Sequence, residues 1–329
     1  MLIVYDNAKF KIICKFVKRY FSITSIGKND LQMELRQLRY FIKAKELLNF
    51  TAAASALNIS QSTLSQQIKQ LEIELDVPLF ERVGKRIKIT EAGLLFYKYA
   101  LQSVNSANSG FQLLKDFQNL ETGELKIGST FGLRHVLTKA VKTFLMSFPK
   151  IKITIVYGTS DDLIEKLDNF ELDFILSFEE HKSNKSHSSQ LLFTSEMVLL
   201  GSLNSKLKDI KEIKMRDLYQ FQLALPSNGF STRKYINQVL EKKNLSLQVS
   251  LEINDIQMLI DLVKTGEFYT ILAKTTIQDV DAITSARIIH PFMERKAMVI
   301  SLNEVYEKKA VKEFYKIIYK NINTFNKSI

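Results

Sequence analysis

The chain has almost no cysteine: Cys14 stands alone among 329 residues. A lone thiol excludes any intramolecular disulfide framework and any CxxC zinc or redox site. Histidine is nearly as scarce, at positions 135, 181, 187 and 290, so there is no HxxxH or HxH pair to hold a metal. Tryptophan is absent. No apolar run approaches the roughly 18 residues that a membrane span needs. The N-terminus is basic, but Lys9, Lys11, Lys15, Lys18 and Arg19 interrupt its short apolar runs. None reaches the roughly 7–15 residues of a secretory signal. These absences point to a soluble protein of a reducing cytoplasm, with no membrane association, no metal and no resident cofactor.

Catalytic patterns are missing as well. Ser129 has no G-x-S-x-G elbow around it, and neither a Gly-rich phosphate loop nor a calcium loop occurs. His135 falls inside an expected helix, and His181 and His187 in a polar stretch, so no base–nucleophile pair is visible. An enzyme is not expected. What is present is ordinary hydrophobic content, 46%, enough for two or three packed domains. There are 46 Lys and Arg against 35 Asp and Glu, a formal charge of +11. That excess favours a polyanionic partner, but it is spread along the chain, so position has to decide.

Residues 1–32 show no clean periodicity and read as an N-terminal extension: a loosely ordered basic arm, or an upstream start ahead of Met33. An extra phosphate-contacting arm is the alternative. Helical patterning begins directly after Met33. Leu35, Leu38, Phe41 and Ile42 share a face over 35–48. Asn49 is an N-cap for a second helix with Phe50, Ala53, Ala54 and Leu57 as its stripe. Asn58-Ile59-Ser60 breaks that helix, and Ser60 caps a third, with Leu64, Ile68, Leu71 and Leu75 inward. Two short helices joined by a tight turn form the helix-turn-helix pattern.

The outer face of the third helix carries Gln61, Ser62, Thr63, Ser65, Gln66 and Lys69. Its first two turns hold no charge, whereas a merely solvated face usually shows Glu and Lys. Gln pairs bidentately with adenine N6 and N7, and Ser or Thr meets several base edges, so this face suits major-groove readout. Pro78 ends the helical region. Leu79–Arg82 and Ile87–Ile89 read as a hairpin around Gly84-Lys85-Arg86. Such a basic wing brings Arg82, Lys85 and Arg86 toward phosphates or the adjacent minor groove.

Thr90-Glu91 opens a long helix reaching about Leu120, weakened by Gly93, Gly110 and the polar patch Asn105 to Ser109. Its apolar stripe needs a partner: a second copy of the chain or the chain's own body. From Glu124 strands and helices alternate. Strands are expected at Leu125–Ile127, Ile151–Tyr157, Leu172–Phe178, Leu191–Leu200, Phe221–Leu225, Tyr269–Leu272 and Ala297–Leu302. Helices are expected at about 131–147, 161–169, 230–243, 255–265 and 304–320, and the polar stretch His181 to Gln190 interrupts the rhythm. This is an α/β body of two lobes around a cleft. Ser129, Thr130, Thr159, Ser160, Ser227 and Asn228 fall at strand ends, where open α/β sheets bind ligands, with Arg233 nearby as the charge partner. They suit a small polar or anionic metabolite; each of the neutral ones is alternatively only a helix cap.

The stretch ELRQLRYFIKAKELLNFTAAASALNISQSTLSQQIKQLEIELDVPLFERVGKRIKITEAG resembles the winged helix-turn-helix of LysR-type transcriptional regulators. The match lies in the order and spacing of F-T-x-A-A, S-Q-x-x-L-S-x-Q-I-x-x-L-E, P-L-F-E-R and T-E-A-G. Through it Thr51 joins the DNA-contacting set. Ser62 stands where the family very often has Pro. More loosely, GELKIGST, GTSDDLIEKL, LDFILSF, LALPSNGFSTRKYI and TGEFYTILA sit at effector-domain landmarks, with Leu272-Ala273 where many relatives have Leu-Pro. Thr232-Arg233 looks most like the branch containing cyanate-operon regulators.

The resemblance implies a mixed fold. An N-terminal all-α winged helix-turn-helix covers 33–92, and a linker and dimerisation helix covers 93–120. A two-lobed effector domain similar to type 2 periplasmic binding proteins follows at 121–329, with lobe one at about 121–195 plus 299–329 and lobe two at about 196–298. It also implies double-stranded promoter or operator DNA, a homodimer or homotetramer, and RNA polymerase as partners, with a small-molecule effector. A DNA-binding regulator whose cleft is structural and ligand-free is the alternative.

Overall fold

A computed structural model of the chain describes residues 33–83, 86–118, 122–179, 185–278, 280–303 and 305–325. The expected arm 1–32 lies outside them. The chain divides into two compact units that meet between Val104 and Asn105.

In the first unit, α1 (Leu35–Leu47), α2 (Phe50–Ala56) and α3 (Gln61–Leu75) follow the expected order. Their starts are set by side chains. The Asn49 carboxamide oxygen accepts from Ala52 N at 3.0 Å, and the Ser60 hydroxyl accepts from Thr63 N at 3.0 Å. Asn58, at φ 54°, makes the turn between α2 and α3. Leu38, Phe41, Ala53, Ala54, Leu64, Ile68 and Leu71 are buried together. Leu35 is not among them: the first turn of α1 points outward and leaves it 42% exposed. Leu75 is only half-buried, because the helix runs past the core it serves.

The wing is the antiparallel pair β1 (Phe80–Val83) and β2 (Arg86–Ile89), with Phe80 opposite Ile89 and Val83 opposite Arg86. One carboxylate ties it to α3: Glu72 Oε1 accepts from Leu79 N at 2.7 Å and Phe80 N at 3.0 Å. Phe80 packs on Phe41 and Phe50, with ring centroids 5.6 and 5.5 Å apart. The long helix α4 (Glu91–Gln118) is continuous over 28 residues, roughly 42 Å. It starts where Thr90 Oγ1 accepts from Gly93 N at 3.0 Å.

In the second unit the elements are β3 (Gly123–Ser129), α5 (Arg134–Ser147), β4 (Ile151–Tyr157), α6 (Ser160–Asp168), β5 (Phe174–Phe178), β6 (His187–Ser202), β7 (Glu212–Lys214), β8 (Leu223–Pro226), α7 (Ser231–Lys243), β9 (Val249–Ile253), α8 (Ile256–Lys264), β10 (Thr270–Ala273), β11 (Ile283–Ile289), β12 (Glu294–Leu302) and α9 (Lys309–Phe325). The main sheet has the order β4-β3-β5-β12-β6-β11-β7, with β10 also on β6. Strand β3 is parallel to β4 and β5, whereas β12 is antiparallel to β5 and β6. Strand β6 belongs to both lobes. Its first part, to Glu196, pairs with β12, and from Met197 it pairs with β10 and β11.

The two lobes are therefore joined by a strand that continues from one into the other. The polar stretch expected to interrupt the sheet is part of β6 from His187 onward. Ser188, Ser189 and Gln190 pair by backbone with Ser301, Ile300 and Val299. The backbone ladder needs no apolar side chain where a strand face meets solvent. Strands β7, β9 and β11 are additional to the expected elements; β11 carries Thr284 and Ser285 and so lacks an apolar run. Strand β12 starts at Glu294 and pairs only with β5 and the first part of β6, so the chain returns to lobe one nearer Glu294 than residue 299. Helix α9 begins at Lys309 and ends at Phe325, later than the expected 304–320.

Phe144, Phe174 and Phe314 form the centre of lobe one, with centroids 5.4 and 5.6 Å apart around Phe314. On lobe two, α8 buries Ile256, Leu259, Ile260 and Val263 against Val198 and Leu200. Among the described residues no helix is long and apolar enough to cross a membrane.

Candidate DNA-reading face and inter-lobe cleft

The capped start of α3 presents the first candidate surface. Gln61, Ser62, Thr63, Gln66 and Lys69 are exposed and Ser65 is half-buried. Ser62, Gln66 and Lys69 lie on the face opposite Leu64, Ile68 and Leu71, which anchor the helix, while Gln61, Thr63 and Ser65 flank that face. The hydroxyls of Ser62 and Thr63 are each 2.8 Å from that of Ser60, so both belong to the cap cluster. Gln61, Ser65, Gln66 and Lys69 make no side-chain hydrogen bond or ion pair among the described residues, while Gln67 and Gln70 pair with each other at 3.5 Å. Thr51 is exposed in the first turn of α2. Lys85 and the side chains of Arg82 and Arg86 lie outside the described residues; the backbones of Arg82 and Arg86 stand in the hairpin.

The second candidate is the cleft at the carboxyl ends of β3, β4 and β8. Here the residues chosen from sequence behave differently from one another. Ser129 is fully buried and donates to Thr130 O at 3.0 Å. Ser160 is 4% exposed and shares a 2.8 Å hydrogen bond with the Ser177 hydroxyl. Thr159 closes a capping box on α6, donating from Oγ1 to Asp162 Oδ2 at 2.6 Å. Thr130 is the exception: it is 7% exposed, and its hydroxyl is buried with no partner among the described residues. Ser227 is half-buried. Asn228 is exposed and accepts from Asn237 Nδ2 at 3.4 Å.

Arg233, expected as the charge partner of the cleft, is engaged within its own lobe. Its guanidinium donates to Glu252 Oε1 at 2.7 Å, Pro226 O at 3.2 Å and Asn237 Oδ1 at 3.1 Å, a network wholly within lobe two. Arg295, on β12, is a buried charge between the lobes. It is 4% exposed and donates to the hydroxyls of Ser231 at 3.1 Å and Thr232 at 3.5 Å. It also lies over the rings of Phe178 and Tyr235, at 4.7 and 5.4 Å. A cavity of about 200 Å³ opens beside it, lined also by Lys234 and Gln238.

Sequence reading missed Arg295, yet a signal was present. In Glu294-Arg295-Lys296-Ala297 burial alternates, and Arg295 falls in the inward phase with Ala297. Two further contacts join the lobes: Lys234 to Asp161 at 2.6 Å, and Arg134 to Gln257 at 3.3 Å.

A winged helix-turn-helix, a long helix and a two-lobed α/β body define a DNA-binding transcriptional regulator with a substrate-binding domain. The chain belongs to the LysR family. Residues 35–94 match the model of the bacterial regulatory helix-turn-helix protein of the LysR family, and residues 118–321 match that of the LysR substrate binding domain. It is similar to the HTH-type transcriptional regulator YwqM of Bacillus subtilis (strain 168), 30% identical over 249 residues, covering 75% of this chain and 84% of that protein. Its fold is similar to a full-length OxyR variant from Pseudomonas aeruginosa, with a TM-score of 0.69, 20% identity and coverage of 89% and 95%. It is also similar to full-length CbnR in complex with its target DNA, with a TM-score of 0.61, 22% identity and coverage of 88% and 99%.

Proposed function

We propose that α3 lies in the major groove, with Gln61 and Gln66 on base edges and Ser65 and Lys69 beside them. Ser62 and Thr63 hold the cap and come close to the bases through it. Thr51, Arg82, Lys85 and Arg86 contact phosphates or the neighbouring minor groove. The observation that carries this reading is the pair of exposed amides without intramolecular partners, on a helix fixed by its own buried stripe. Loss of one bidentate base contact costs about 1–3 kcal/mol and relaxes one position of the site. Randomised-site selection with Gln61→Ala and Gln66→Ala tests it, and an unchanged preference would remove that residue from the readout. Arg82→Ala or Lys85→Ala should weaken binding to all sequences and reduce the salt slope by about 1.

In this reading the protein works in the cytoplasm as a homodimer or homotetramer, by binding and not by catalysis, and its signal passes to RNA polymerase. The inter-lobe cleft takes a small polar or anionic metabolite. Thr130 supplies a hydroxyl that is already desolvated, Ser227 and Asn228 are the candidates on lobe two, and Arg295 supplies the positive field. Ser129, Thr159 and Ser160 shape the wall through their internal bonds, and Arg233 supports it from behind. Calorimetry with small carboxylates and inorganic anions should show binding that weakens about tenfold in Thr130→Val. Undiminished binding would take Thr130 out of the site.

The second reading, a structural cleft without a ligand, is favoured by one observation. The Lys234–Asp161, Arg134–Gln257 and Arg295–Ser231 contacts already bridge the lobes. No binding from the whole panel would select it.

A further inference from the structure

A second cavity, of about 480 Å³, lies away from the inter-lobe cleft, between the C-terminal half of α4 and lobe one. Its size is within the roughly 300–1,000 Å³ of small-molecule sites. Ser109 and Gln112 line it from α4, Ser188 and Gln190 from β6, and Tyr306 and Tyr315 from the start of α9 and the turn before it. The formal charges in the wall cancel, Lys126 and Lys308 against Asp173 and Glu307, and Lys308 is bound to Asp173 at 2.7 Å.

Tyr315 is the telling residue. It is 8% exposed, and its hydroxyl is buried without a well-formed hydrogen bond among the described residues, with the Ser301 side chain of the same wall as its polar neighbour. Burial also pushes its phenol upward, so it remains a protonated donor. The neighbouring groups have spare capacity of both kinds. Gln112 gives its amide N–H to Asp116 and keeps its carbonyl oxygen, whereas Gln190 accepts from Tyr319 and keeps its N–H groups. Ser109 and Ser188 make no side-chain hydrogen bond among the described residues. The aromatic faces of Phe170 and Tyr306 and the apolar Leu172 and Val311 complete the wall.

From this arrangement we propose a second ligand site that takes a neutral, polyhydroxylated molecule of about monosaccharide size. Hydroxyl groups both donate and accept, as this wall requires. A charged ligand would be desolvated against a wall that is already neutral, and an apolar one would leave the Tyr315 hydroxyl buried without a well-formed hydrogen bond. The C–H edges of a sugar-like ring suit the aromatic and aliphatic part. Because the linker helix forms one side of the site and lobe one the rest, occupancy favours the arrangement in which α4 is docked.

The test is calorimetry and melting of the full chain with D-glucose, myo-inositol and glycerol, set beside malonate and inorganic phosphate. At least one neutral probe should bind one to one and raise the melting temperature. Ser109→Leu, which fills the cavity from α4, should weaken that binding at least tenfold. Tyr315→Phe should do the same while melting close to wild type without ligand, since the hydroxyl it removes makes no well-formed hydrogen bond. The proposal is overturned if no neutral probe binds, if only the charged probes bind, or if binding survives both substitutions. It is equally overturned if Tyr315→Phe melts well below wild type in the absence of ligand.

Discussion

Gly93 illustrates how single residues hold the wing. On helix propensity alone, alanine would be better there by about 1 kcal/mol. A Cβ at that position would, however, lie 2.4 Å from the carbonyl oxygen of Leu79 and 2.7 Å from Ile89 Cγ1. The Leu79 carbonyl is already accepting from Thr90 N at 3.0 Å, so it has little room to move. Overpacking of this kind costs about 1–3 kcal/mol and outweighs the gain in propensity. Gly93→Ala should therefore destabilise the chain by about 1–2 kcal/mol in denaturant melts. Stability equal to wild type would mean that the wing does not dock on the start of α4. The residue is a packing requirement, not the weak point in the helix that its sequence context suggests.

At the scale of elements, α4 carries apolar side chains that its own chain leaves uncovered. Leu95 and Tyr99 are each 68% exposed, and Leu113 is 36% exposed. At about 100° per residue these three fall within roughly 40° of one another, with Leu95 and Leu113 in line. Such a stripe fits a second copy of the same helix. The double substitution Leu95→Glu with Leu113→Glu removes two leucines worth about 1.5–3 kcal/mol each when buried. Each copy of the dimer loses both, about 6 kcal/mol or more in all, so the dimer dissociation constant should rise by at least about 10⁴-fold, seen as a shift to monomer in light scattering at micromolar concentration. An unchanged mass would place the interface elsewhere. The polar patch Asn105 to Ser109 does not break the helix.

At the scale of the whole molecule, the last turns of α4 are tied to the effector body by one carboxylate. Asp116 accepts from Tyr306 Oη at 3.0 Å and from Lys309 N at 2.8 Å, where it caps the N-terminus of α9, and from Gln112 Nε2 at 2.8 Å. A change in lobe one thus has a direct contact through which to reach the linker helix. Asp116→Ala should cost about 1–2 kcal/mol and speed hydrogen exchange at the Lys309 amide. Exchange at the wild-type rate would show that the cap is made by something else.

Much of the first unit could be read from sequence because its determinants are close together along the chain. Asn49 and Ser60 cap helices three residues on, and Leu64, Ile68 and Leu71 repeat at the helical period. Those spacings alone specify the helix-turn-helix, its exposed Gln61 and Gln66, and the family pattern built on them. The alternation of strands and helices after Glu124 likewise declared an α/β body. The rest depended on pairings that no local pattern contains. Asp116 meets Lys309 across 193 residues, and Arg134 meets Gln257 across 123. Arg233 and Arg295 are both arginines near a strand end. Only the folded chain turns one toward Glu252 within lobe two and the other inward between the lobes. Periodicity states which face of an element is buried, but which groups meet there is set by how distant elements pack.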